Sequence, residues 1–182
     1  MKKKSLKASY KIALGGILAA LAVTSMLISN LVPIATYGCP ALAGMMLIPI
    51  VIEIGKRWAV CVYAAISLLS IFLVADKEAA LLFVAFFGFY PIIKAVFEEH
   101  LKPALCWLFK ILMFSICMSA VLFVLVSFLA IPKDSYTIFG VYLPWAFLIM
   151  GILVFCVYDI ALSRLIAAYV NIWRKKLLKR VL

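Results

Sequence analysis

Apolar residues run along this chain in six blocks, 12–32, 39–54, 58–75, 79–97, 104–131 and one that begins near Val141 and continues to about residue 170, with charged residues gathered at the block ends. The 21 residues of the first block reach about 30 Å as a helix, enough to cross the hydrocarbon core of a bilayer once. The second block has only 16 residues and carries Gly44 and Pro49, which predicts a short, interrupted helix. In the fourth block Phe83, Phe86, Phe87 and Tyr90 follow i, i+3, i+4, i+7 spacing and share a helix face. Gly88 and Pro91 predict a kink there, because Pro91 has no N–H to donate to the Phe87 carbonyl. The fifth block is longer than a bilayer needs, with Lys110 near one end able to snorkel. The pattern predicts an all-α integral membrane protein, a bundle of six transmembrane helices. Its parts are a basic cytoplasmic tail (1–11), the six-helix domain (12–170) and a basic amphipathic cytoplasmic tail (171–182).

Charge orients the bundle. Lys2, Lys3, Lys4, Lys7 and Lys11, then Lys56 and Arg57, then Lys94, Lys102 and Lys110, then Arg164, Arg174, Lys175, Lys176, Lys179 and Arg180 fall on one side of a six-span layout. That is 16 of 18 basic residues, leaving Lys77 and Lys133 on the other side. The positive-inside rule places both termini in the cytoplasm, in the cell membrane. Leu177, Leu178 and Val181 interleave with the final basic cluster, so this tail and the N-terminal lysines are expected to lie on anionic lipid. A cysteine placed at Lys133 should be labelled from outside intact cells and one at Lys102 should not; the reverse pattern would contradict the layout.

Composition changes the picture only by exclusion. With 69% apolar and 14% charged residues, the chain is far from a soluble domain. The net charge of +11 reflects span ends rather than a continuous basic patch, so no nucleic-acid partner is expected. The first block is too long for a signal-peptide core, so no cleavage is expected after the Ala41-Leu42-Ala43 triplet. Cys39, Cys61, Cys106, Cys117 and Cys156 form no Cys-x-x-Cys pair and read as small hydrophobes. No phosphate-binding loop, His-Glu-x-x-His or Gly-x-Ser-x-Gly motif occurs. Neither catalytic residues nor a metal or cofactor site is therefore expected. His100 reads as solvated, while Asp159 stands inside a span close to its inner end and is open to a structural or a functional reading.

Two surfaces stand out. On the first helix Ala13, Gly15, Gly16, Ala19, Ala20 and Ala22 fall on one half and Leu14, Ile17, Leu18 and Leu21 on the other. A smooth half of this kind lets another helix approach closely enough in lipid for packing to hold it. On the outer side Asn30, Tyr37, Asp76, Lys77, Glu78, Lys133, Asp134, Tyr136, Tyr142 and Trp145 form a sparse polar and aromatic set. It reads either as an interfacial belt or as the rim of a ligand site. The aromatic stripe of the fourth block reads either as packing or as a platform for a flat ring.

The length, the six spans with both ends inside, the opening Lys11-Ile12-Ala13-Leu14-Gly15-Gly16-Ile17-Leu18-Ala19-Ala20-Leu21-Ala22 and the run Phe87-Gly88-Phe89-Tyr90-Pro91 resemble the substrate-binding S components of energy-coupling factor (ECF) transporters. The resemblance implies a subunit that captures a vitamin or similar micronutrient at the outer face. It implies docking on a transmembrane coupling subunit powered by two separate ATPase subunits. The family's small residues spaced by four match Gly15 with Ala19 and Gly16 with Ala20 as coupling contacts. Its ligand position, beneath the first loop and among the outer ends of helices four to six, points to Asn30, Tyr37, Phe83, Phe87, Tyr136, Tyr142 and Trp145 as substrate contacts. No signature identifies the substrate. A non-catalytic scaffold similar to the rod-shape protein MreD shares the size and span count and would bind protein instead. An intramembrane enzyme lacks a paired nucleophile and base.

Overall fold

A computed structural model of the chain describes residues 8–30, 33–128, 137–138, 141–142 and 144–173. Helix α1 (Ala8–Ile28) is followed by a 3-10 turn at Pro33–Thr36, then α2 (Gly38–Met45), α3 (Ile48–Glu53) and α4 (Lys56–Leu73). Next come α5 (Lys77–Leu82), a π turn at Phe83–Phe87, and α6 (Tyr90–His100). Helix α7 (Pro103–Phe128), the two-residue strands β1 (Thr137–Ile138) and β2 (Val141–Tyr142), α8 (Pro144–Ala168) and a second π turn at Tyr169–Trp173 complete the described chain. Among the described residues, five helical stretches are long and apolar enough to cross a membrane: Ala8–Ile28, Lys56–Leu73, Lys77–His100, Pro103–Leu125 and Ile149–Ile172. The protein is a multi-pass, helical membrane protein. The remaining apolar stretch, Gly38–Glu53, is shorter than a span.

Several expected boundaries move. Helix α1 starts at Ala8, so Lys11 lies inside it rather than in a tail. The second block breaks at Met46 and Leu47, between its two helix breakers, because Pro49 is accommodated in the first turn of α3. Gly55 then reverses the chain with φ +117°, a conformation that glycine adopts without strain, and α4 begins at once. Val141 belongs to a strand, paired antiparallel so that Thr137 faces Tyr142 and Ile138 faces Val141; the sixth helix waits until Pro144, whose fixed φ suits a helix start. The outer loop 132–136 and the basic tail from Arg174 onward lie outside the described residues, as do Lys2, Lys3, Lys4 and Lys7.

The chain divides into two compact units, Met1–Lys110 and Ile111–Leu182. In the first, α1, α2, α3, α4 and α5 surround a core that includes Ala22, Met26, Ala43, Leu47, Ile50, Ala59, Ile66, Ala80 and Phe83. Over its most apolar 18 residues the Lys77–His100 stretch is 50% buried, against 22% or less over the most apolar 18 residues of the other four, which makes α5, the π turn and α6 the most enclosed run. The opposite faces carry Ile17, Leu21, Leu68 and Phe72 outward, as expected where lipid replaces water. In the second unit Phe114 of α7 stacks on Phe155 of α8 at 4.8 Å. Gly151 keeps that approach open, since a Cβ there would lie 3.3 Å from the Phe114 ring.

The expected kink takes the form of the π turn. The Gly88 N–H donates to the Phe83 carbonyl at 2.8 Å, five residues back, and both Ile92 and Ile93 donate to Phe89 beyond Pro91. Such a bulge unsettles the regular backbone ladder. Here the Tyr63 hydroxyl of α4 donates to the Val84 carbonyl at 2.7 Å and ties the bulge to the neighbouring helix.

Candidate functional site

Two polar ends and one bare helix face in the first unit are the places where chemistry is available. At the end where α1 stops and α5 starts, Asp76 caps α5 by accepting from the Ala79 N–H at 3.0 Å. The Asp76 N–H in turn donates to the Asn30 side-chain oxygen at 3.0 Å. Tyr37, largely exposed, donates its hydroxyl to Glu78 at 2.7 Å. Lys77 donates to the carbonyls of Ile71 and Val74, each at 2.9 Å, closing the last turn of α4. Asn30 and Tyr37 thus flank the α1–α2 connection and tether it to the α4–α5 turn. Both tethers are exposed hydrogen bonds, the kind that opens at low cost.

The other substrate candidates separate. Phe83 is fully buried in the core of the first unit, packed against Tyr63 with ring centroids 6.1 Å apart. Phe86 and Tyr90 are also fully buried and stack at 4.9 Å. The aromatic stripe packs within the first unit, with Phe83 in its core and Phe87 half-buried beside Phe86. Tyr142 stands on β2 and Trp145 in the first turn of α8, both in the second unit. Tyr136 lies outside the described residues.

The smooth half of α1 also separates. Gly15 is buried, and a Cβ on it would meet Val62 of α4 at 3.6 Å; Ala19 packs partly buried against the core. That pair packs against its own chain. Gly16 and Ala20 are exposed, and a Cβ on Gly16 would have no neighbour within 4 Å. The reason is angular: Gly15 and Gly16 sit about 100° apart around the helix, so α4 covers one and not the other.

At the opposite end, Lys94 and Lys110 are buried, and each places its ammonium 2.7 Å from the same oxygen of Glu98. Lys110 also lies over the Trp107 ring, 5.5 Å from its centroid. Lys56 at the start of α4 is ion-paired with Glu99 at the end of α6. Charges this close to a membrane core are costly unless they are paired and hydrogen-bonded, so these carboxylates hold the helix ends together. Asp159, a buried acid, lies in α8 of the second unit.

Sequence reasoning passed over Ser67 and Ser70. Both lie on the inward stripe of α4 with Ala59 and Ile66, and both hydroxyls are buried without a hydrogen-bond partner. Their i, i+3 spacing on an otherwise apolar stripe was the available signal. No known family profile matches the chain, and neither curated proteins nor solved structures include a detectable match to it.

Proposed function

We propose that the protein is the membrane-embedded substrate-binding subunit of an ECF-type importer. In this reading it captures a small micronutrient at the outer face of the cell membrane, with both termini in the cytoplasm. It docks on a transmembrane coupling subunit whose energy comes from two separate ATPase subunits. The observation that carries the reading is the bare Gly16–Ala20 face of α1, on a helix whose other side is already packed against its own chain. Within lipid a smooth, uncovered face is a surface on which a second protein's helix packs closely.

The tethered α1–α2 connection supports the capture step. On the proposed orientation Asn30 and Tyr37 lie outside, and release of the Asn30–Asp76 and Tyr37–Glu78 bonds frees the connection from the α4–α5 turn to admit a solute. The paired lysines Lys94 and Lys110 then lie at the cytoplasmic end, where the positive-inside rule places basic residues. The purified chain alone should retain a small molecule and should not hydrolyse ATP, since it carries no phosphate-binding loop. Hydrolysis by the contaminant-free chain would contradict the division of labour. A chain that carries no small molecule and associates with cell-elongation proteins would favour the scaffold reading instead.

A further inference from the structure

We propose that Ser67 and Ser70 form a two-hydroxyl seat for an uncharged hydrogen-bonding group of the captured small molecule, such as a carbonyl, a hydroxyl or a ring nitrogen. The inference rests on the function proposed above and extends it to α4, which none of the expected substrate contacts occupies. Hydroxyls in membrane helices ordinarily satisfy themselves by bonding back to a carbonyl one turn earlier. This chain does so repeatedly: Thr24 donates to Ala20, Ser115 to Ile111 and Ser163 to Asp159, all at 2.9 Å, and Ser29 donates to Met26 at 2.7 Å. Ser67 and Ser70 do not, although they are 8% and 0% exposed. An unpaired buried hydroxyl is unfavourable, and two on one helical face, three residues apart, point to a shared guest.

The surroundings define that guest. The core beside α4 is built from apolar side chains, among them Ile66, Ala79, Ala80 and Phe83, so a charged group would be stranded there. Each hydroxyl both donates and accepts, which suits a neutral heteroatom of either kind. Ser70 stands three residues before α4 ends at Leu73, about 4.5 Å along the helix axis. The seat therefore lies in the half of the span nearest the tethered α1–α2 connection, where a solute entering beneath it would arrive.

The test uses the full chain purified in mild detergent, with no ligand added. Small molecules are released by denaturing extraction and measured per chain by mass spectrometry, alongside the melting temperature. The variants are Ser67→Ala/Ser70→Ala, the isosteric Ser70→Cys and the lipid-facing control Leu68→Ala. The wild type and Leu68→Ala should release the same small molecule, and the double variant roughly tenfold less, as expected for lost hydrogen bonds. Ser70→Cys keeps the volume and should also lose it, which keeps the test sound if the double variant folds poorly. Equal release from wild type and serine variants would overturn the seat and leave the proposed function standing, whether the variants melt higher, as idle hydroxyls predict, or lower, as a pair holding only water predicts. A wild type that releases nothing would overturn both.

Discussion

Gly16→Leu is expected to abolish copurification of the coupling subunit while the chain itself folds and keeps its small molecule. No atom lies within 4 Å of a Cβ at this position, so the leucine meets nothing in its own chain. Against a partner helix it holds the backbones several ångströms apart and forfeits the dispersion contacts on which association in lipid depends. A loss of only about 1.4 kcal/mol lowers the association constant tenfold, and a leucine in a close helix crossing forfeits more. Gly15→Leu supplies the contrast. Its side chain runs into Val62, 3.6 Å from the Cβ, so the chain's own stability should fall. Detergent-solution melting of both variants, with quantitative copurification from native membranes, separates the outcomes. If Gly16→Leu keeps its partner, the bare face of α1 is not the coupling surface.

Gly88→Ala is expected to destabilise the first unit, by roughly 1–3 kcal/mol on the scale of overpacked cores. A Cβ at position 88 would lie 2.6 Å from two atoms of the Tyr63 ring and 2.9 Å from the Phe83 ring. Neither ring yields easily. Tyr63 is held by its hydroxyl bond to Val84 and by edge contact with Phe89 at 6.2 Å between centroids, and Phe83 is fully buried. The backbone of Gly88 is ordinary helix, with φ −70°, so the demand at this position is for space and not for an unusual torsion. In a Tyr63→Leu background the same substitution should cost much less, giving a measurable coupling energy in a double-mutant cycle. Equal costs in the two backgrounds would show that the ring contact is not the cause.

How far the sequence reaches is visible in these two glycines. Gly88 was legible as the neighbour of a kink because Pro91 cannot donate and the local ladder must break; that Tyr63 of another helix fills the space above it depends on a contact 25 residues away in sequence. Gly15 and Gly16 look alike in sequence, since both belong to a broad band of small residues, and only the placement of α4 decides which one is covered. Long apolar helices were legible because a bilayer demands length and continuous apolarity. The short ones were not: apolar pattern alone does not distinguish the break at Met46 and Leu47 or the strand at Val141. The tethers of Asn30 and Tyr37 were legible as outer polar residues but not as partners of Asp76 and Glu78. Ser67 and Ser70 were legible as a pair on one helix face, but a serine within a span usually bonds to its own helix, and that these two do not depends on the folded structure.

The most direct test of the proposed importer subunit is affinity purification of the full chain from its native membrane in mild detergent, followed by mass spectrometry of the proteins that accompany it. The account predicts a second polytopic membrane protein and two ATPase subunits carrying phosphate-binding loops, lost together when Gly16 is replaced by leucine. Recovery of cell-wall or cytoskeletal proteins without any ATPase, or of the chain alone, would contradict it.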